Sequence, residues 1–229
     1  VKQNLLINQA SNKFKRGVSF FKEVRKNFTE LGQVAPSSKD LSKRMTAPLR
    51  EINGQRRILE VGPGTGVVTK QIVKLLRAGD ELVICEINPR LLTMVENKIS
   101  KQIAGKEFSV KFVCSPVQDL KDQYSDGYFD AIISSLPFTN FPPQLVSEVL
   151  ILYKRLLKTS GVLTFYEYLA LRKMGQMFRG QTERRRVGEV SKVLSSWERE
   201  LYNRKQLSQS VSFLNLPPAR VMVASLGEQ

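Results

Sequence analysis

From residue 56 onward the chain repeats one unit: a short apolar run, a turn, then a stretch with helical spacing. Arg57–Val61 reads as a strand, followed by a glycine turn and a helix over Thr69–Arg77. Glu81–Glu86 is a second strand and Pro89–Ser100 a second helix. Val110–Cys114 and Phe129–Ser134 are the third and fourth strands, followed by a helix over Pro143–Leu157 and a fifth strand over Gly161–Tyr168. Such alternation predicts an α/β fold with a parallel sheet and right-handed crossovers. Two further strand candidates, Val211–Leu214 and Arg220–Ser225, are separated by Leu216-Pro217-Pro218. So short a connection predicts a hairpin, with the last strand antiparallel in a seven-stranded sheet. At 229 residues the chain can bury one such core.

Before the repeating unit come two predicted helices. Residues 13–28 place Phe14, Val18, Phe21 and Phe28 at helical spacing, with Lys13, Lys15, Arg16, Lys22, Arg25 and Lys26 on the rest of the surface. Ser37, with Asp40 three residues on, resembles a capping box opening a second helix that ends near Leu49. The expected division is residues 1–50 as a basic docking and lid segment, and 51–229 as the catalytic domain.

Charge is concentrated rather than spread. Residues 1–50 carry eleven Lys/Arg against three Asp/Glu, and residues 172–186 carry six against one, so these two segments hold most of the net +15. Local basicity of this kind fits a docking face for an anionic surface, either nucleic acid or membrane. No apolar run is long enough to span a bilayer, and the first ten residues lack a signal peptide's apolar stretch, so a cytoplasmic location is expected. Cys85 and Cys114 both close apolar runs and are expected to be buried and reduced. Two cysteines and no histidine argue against a metal site, and the missing imidazole removes the commonest general base.

The chemistry-bearing motif is Leu59-Glu60-Val61-Gly62-Pro63-Gly64-Thr65-Gly66, which leaves a strand and enters a helix. Glycines permit a tight turn and close approach of a ligand. A dinucleotide fold cradles pyrophosphate at such a turn. Here Glu60 precedes the glycines, and its carboxylate would repel pyrophosphate but suit a cationic α-amino group. Glu86 lies twenty residues after Gly66, at the end of the second strand, where a carboxylate can accept both hydroxyls of a ribose.

The turn, Glu86 and the fourth-strand motif resemble the class I S-adenosylmethionine methyltransferases. That resemblance implies a Rossmann-like α/β fold with S-adenosyl-L-methionine as cofactor. It implies that Glu60, Gly62, Gly64, Thr65 and Gly66 surround the methionine part, that Glu86 binds the ribose and that Ile87 packs on the adenine. Val117 and Ser134 complete the implied cofactor set. Many relatives carry a Gly-Asp pair after the third strand, whereas this chain has Ser115-Pro116, so adenine recognition falls to the backbone of Val117 or to Gln118 or Asp119.

The fourth strand ends Ser134-Ser135-Leu136-Pro137-Phe138. Ribosomal RNA adenine dimethylases typically read Asn-Leu-Pro-Tyr there. Ser135 in place of the amide counts against a planar aromatic amine, and hence against nucleic acid as the partner. Bacterial phospholipid N-methyltransferases are more similar. They show segments like Val34-Ala35-Pro36-Ser37-Ser38, a Ser-x-Leu-Pro stretch, and a stretch like Leu216-Pro217-Pro218-Ala219-Arg220-Val221. This resemblance implies methylation of the amine of phosphatidylethanolamine at an anionic membrane surface, by a peripherally bound protein; the alternatives are the amine of ornithine lipid or the N6 amine of an rRNA adenine. A basic amphipathic helix over 13–28 suits that interface. Ser135, Leu136, Phe138 and Tyr166 are the expected catalytic residues. Tyr166 or Glu167 is the proton acceptor or orienting group, and Phe138, Phe141 and Tyr166 are the aromatics available for a quaternary product.

Overall fold

The computed structural model describes residues 38–169, 181–203, 206–215 and 218–225. The helix expected over 13–28 and most of the second basic cluster lie outside them. Among the described residues, twelve elements follow in chain order. They are α1 (Lys39–Thr46), β1 (Arg57–Val61), α2 (Val67–Val73), β2 (Glu81–Cys85), α3 (Pro89–Ile103), β3 (Ser109–Val113), β4 (Phe129–Ser134), α4 (Pro143–Leu156), β5 (Leu157–Tyr168), α5 (Gln181–Asn203), β6 (Leu207–Ser212) and β7 (Ala219–Ser225).

The seven strands form one sheet in the order β3-β2-β1-β4-β5-β7-β6. β1 to β5 are parallel, and β7 runs antiparallel between β5 and β6. The expected Rossmann-like fold is therefore present. β1, β2 and β4 are nearly continuous apolar runs because helices cover both their faces. One face packs Phe129, Tyr153, Phe165 and Leu194 beneath α4 and α5. The other packs Leu41, Met45, Ile72 and Val95 from α1, α2 and α3. α1 thus belongs to the same core as the sheet. From β1 the chain winds out to β3, then returns to β4 on the other side of β1. Ligands of open α/β sheets bind outside the carboxyl ends of the strands at such a reversal.

Local chemistry moved several expected boundaries. Ser38, not Ser37, caps α1: its hydroxyl accepts from the Leu41 amide at 3.1 Å. Asp40 pairs with Arg44 one turn on, at 2.8 Å, and takes no part in the cap. β6 lies earlier than Val211–Leu214, because Phe213, Leu214 and Asn215 form the hairpin turn. Its polar sequence, Leu207-Ser208-Gln209-Ser210-Val211-Ser212, suits an edge strand and hides it from an apolar pattern. α5 went unread, although Val187, Val190, Leu194 and Leu201 recur at helical spacing and are all buried. Cys85 is buried as expected, but Cys114 is exposed just past the end of β3.

Arg56 and Asp80, both with fully buried side chains, pair at 2.5 Å just ahead of β1 and β2. Arg56 also donates to the carbonyls of Leu49 and Leu75, at 2.5 and 2.6 Å. Asp80 accepts from the amides of Arg56 and Arg77, at 2.9 and 2.7 Å. This pair clamps the turn after α1 and the end of α2 to the amino edge of the sheet, opposite the site.

Candidate functional site

The site grows from the carboxyl ends of β1, β2 and β4. After Val61 the chain turns through Gly62, Gly64 and Gly66 at φ of 68°, 55° and 80°, the left-handed region that favours glycine. The Gly62 amide donates to the Cys85 carbonyl at 2.9 Å, tying the turn to the end of β2. A Cβ on Gly62 would come within 2.8 Å of Leu136 Cδ2, and one on Gly66 within 3.2 Å of Val95 Cγ2. At Gly64 nothing lies within 4 Å. The turn is therefore closed by packing at both ends and open in the middle, where a ligand can approach the backbone.

Glu60 sits beneath this turn on the α2 face, fully buried. Neither carboxylate oxygen has a hydrogen-bond partner within the described protein, and the buried hydroxyls of Thr69 and Ser135 also have none. Burial pushes the Glu60 carboxyl up to about 8, with the Thr69 hydroxyl opposing the rise and the Glu86 charge adding to it. Buried polar atoms are rarely left this way, because each forfeits its hydration. A buried carboxyl with the Thr69 hydroxyl beside it suits a cationic hydrogen-bond donor such as an α-ammonium group.

Glu86 follows β2 and is buried, with Oε1 accepting from the Asn88 amide at 2.9 Å. Asn88 in turn caps α3, accepting from the amides of Arg90 and Leu91 at 3.0 and 3.4 Å. The cap thus fixes the Glu86 carboxylate at the end of β2. Ile87 beside it is buried, and Val117 opens the short 3₁₀ turn that follows β3.

The β4 loop is held against the glycine turn. The Ser135 amide donates to the Val61 carbonyl at 2.8 Å, and Leu136 covers Gly62. The Ser134 hydroxyl, expected to meet the cofactor, faces the α4 side instead. It accepts from Tyr153 Oη at 2.9 Å and from the Leu136 amide at 3.4 Å, so it sets the loop's shape. Phe138 is buried, edge-on to Phe141 and Phe165 with ring centroids 6.3 and 5.8 Å away. These rings build the core beneath the loop rather than its mouth. Arg186 in α5 bonds the Asn140 carbonyl, bracing the same loop from outside.

Tyr166 and Glu167, alternatives in sequence, point to opposite faces of β5. Tyr166 is half-buried on the Glu60 face, its ring edge-on to Tyr168 at 5.2 Å. Glu167 pairs with Arg220 at 2.9 Å, which also reaches Glu198 of α5 at 3.3 Å. That cluster locks β5, β7 and α5 together and takes Glu167 out of the mouth. Glu60, the glycine turn, Glu86, Ser135 and Leu136 are thus brought together, with Tyr166 on the same face further along. Thr69 and Asn88 are additions that sequence reasoning missed. A capping Asn before Pro89 is a readable signal, but nothing local marks Thr69, whose value lies in its burial against Glu60.

Residues 58–161 match a family model described as a methyltransferase domain. A ubiquinone/menaquinone biosynthesis C-methyltransferase from Stutzerimonas stutzeri is 29% identical over 129 residues, covering 56% of this chain and 48% of that protein. An ornithine lipid N-methyltransferase from Singulisphaera acidiphila is 27% identical over 145 residues, covering 62% of this chain and 72% of that one. An O-methyltransferase of tomaymycin synthesis from Streptomyces achromogenes, solved with SAM, shares the fold at a TM-score of 0.59 and 14% identity, covering 91% and 90% of the two chains. The chain spans about half the length of the first of these relatives.

Proposed function

We propose that this chain, whose residues 58–161 match a methyltransferase-domain model, transfers a methyl group from S-adenosylmethionine to the amine of a membrane lipid. The observation that carries the donor is the buried Glu60 carboxyl at the foot of the glycine turn, both oxygens without a hydrogen-bond donor at bonding distance and the Thr69 hydroxyl nearby. An α-ammonium group is the complement of that cradle. Glu60 and the open backbone at Gly64 would hold the methionine part, and Glu86, fixed by the α3 cap, would hold the ribose hydroxyls. Ile87 and Val117 supply apolar surface for the adenine.

S-adenosylmethionine supplies an electrophilic methyl on a sulfonium, and needs no metal for its transfer to an amine. The chain's part is alignment and exclusion of water. Leu136 covers the turn and Ser135 lies at the junction between turn and β4 loop, so the acceptor amine would approach past these two residues. The amine must shed its proton before attacking. Tyr166, on the Glu60 face, is the group proposed to accept or orient that proton. The N–C bond forms as the S–C bond breaks, and the positive charge passes from sulfur to nitrogen.

For the acceptor, phosphatidylethanolamine is the leading reading. Ornithine lipid is the second, favoured by the relative of that activity that spans 62% of this chain. Both present a primary amine on an anionic or zwitterionic lipid, and both suit a chain of net charge +15. Incubation with methyl-labelled S-adenosylmethionine and vesicles of each lipid, ribosomal RNA or a quinone precursor tests the reading. Label in a lipid amine is expected. Label confined to RNA or to a ring carbon would overturn it.

A further inference from the structure

β7 begins opposite the end of β5, with Ala219 aligned with Tyr168, and β6 ends opposite the same residue, with Ser212 aligned with Ala219. The β6–β7 turn therefore lies on the carboxyl edge of the sheet, the edge that carries the glycine turn and the β4 loop. Its first two residues are apolar and fully presented to solvent: Phe213 is 75% exposed and Leu214 78%. Leu169, which leaves β5 at the same edge of the sheet, is 37% exposed, and its amide donates to the Pro218 carbonyl at 2.9 Å. Among the described residues only Met94 and Ile151 are other large apolar side chains so exposed, and they lie on α3 and α4. Three of the five exposed large apolar side chains among the described residues thus lie at one edge, and exposed apolar groups that cluster mark contact sites.

Two basic stretches of chain join the described fold at this same turn. Ser38, where the N-terminal stretch enters, donates its amide to Asn215 Oδ1 at 2.8 Å. Residues 1–37 carry seven Lys/Arg against two acids. Leu169 opens the stretch 170–180, which carries Arg172, Lys173 and Arg179 and no acid. An exposed apolar tip on the edge where basic stretches of sequence join the fold matches one surface chemistry, that of an anionic bilayer, whose headgroups attract the charge and whose acyl region takes the apolar tip.

We infer that the β6–β7 turn is a membrane wedge: Phe213 and Leu214 insert into the interface of an anionic bilayer, with Leu169 on the same edge of the sheet. The inference rests on the lipid-amine reading and adds to it where the bilayer touches the fold. The turn is three strand spacings from β4, about 14 Å at the usual ~4.8 Å per strand. A tip seated in the interface would hold the β4 loop at headgroup height, so a lipid amine could reach it without leaving the membrane.

Both residues are exposed, so replacing them leaves the core intact. The full chain and a Phe213→Ser/Leu214→Ser variant are sedimented with vesicles of phosphatidylglycerol and phosphatidylcholine, and S-adenosylhomocysteine affinity is measured on each. Vesicle affinity is expected to fall about tenfold or more in the variant, with nucleoside affinity unchanged. A Phe213→Trp variant is expected to be quenched by brominated acyl chains more strongly than the wild type, whose one tryptophan is Trp197. Equal vesicle binding by variant and wild type, or no extra quenching, would overturn the wedge and leave the lipid-amine reading standing. A wild type that ignores vesicles yet methylates detergent-dispersed lipid would likewise reject the wedge alone. A concentration-dependent dimer abolished by the double variant would also overturn it, since the tip would then be covered by a second copy.

Discussion

At Glu60 a single side chain links fold and chemistry. Its carboxyl sits near 8 instead of the usual 4.5 because burial removes it from water, and the nearby Thr69 hydroxyl offsets only part of that loss. The sign of the consequence follows from proton counting. Between about 4.5 and 8 the unfolded chain has released this proton and the folded one retains it. The contribution is full below 4.5 and lost as pH rises through that window, with a slope of up to about 1.4 kcal/mol per unit. Urea unfolding across this range should show wild-type stability declining with pH, and Glu60→Gln should remove most of that component. Saturating S-adenosylhomocysteine should flatten the wild-type slope, since its ammonium would compensate the carboxylate. An equal slope in both proteins would mean that Glu60 has a partner in solution.

Among the elements, those at the site are held by backbone and cap interactions, and those at the opposite edge by one buried ion pair. Arg56 and Asp80 join β1, β2, the turn after α1 and the end of α2 through two side chains with no exposed surface. Removing one member of such a pair strands the other's charge and its hydrogen-bond partners. Asp80→Ala should therefore destabilise the fold by about 3–5 kcal/mol in chemical denaturation. Replacing both, as Arg56→Met with Asp80→Leu, should cost less than Asp80→Ala alone, because no charge remains buried. α1 is tied in at its other end by the Ser38 cap and by the hydrogen bond that the Ser38 amide donates to Asn215 Oδ1. This is why α1 packs as part of the core even though it precedes the first strand by ten residues.

The net charge of +15 is concentrated in residues 1–50 and 172–186, and both stretches connect to the carboxyl edge near the β6–β7 turn. Removing residues 1–28 should weaken vesicle sedimentation strongly, and more so at low salt, while leaving S-adenosylhomocysteine affinity intact. Sedimentation equal to that of the full chain would assign membrane binding elsewhere. No helix among the described residues is long and apolar enough to cross a bilayer.

The alternation of apolar runs and helical spacing determined the parallel sheet, because strands buried on both faces must be apolar throughout and crossovers must be helical. Glu60, the three glycines and Glu86 were also legible in order, since a strand-turn-helix joint fixes their relation locally. The β6 register, α5 and the two faces of β5 were not. Ser208 and Ser210 look like loop until β7 supplies their ladder, and Glu167 looks catalytic until Arg220, fifty-three residues away, claims it. Ser134 and Phe138 passed from the site to its scaffold for the same reason: Tyr153 and Phe165 meet them only across the folded core. Sequence determined which groups arrive at the carboxyl edge. Tertiary structure decided which face each one takes, because the partner that buries or pairs a side chain comes from a distant stretch of chain.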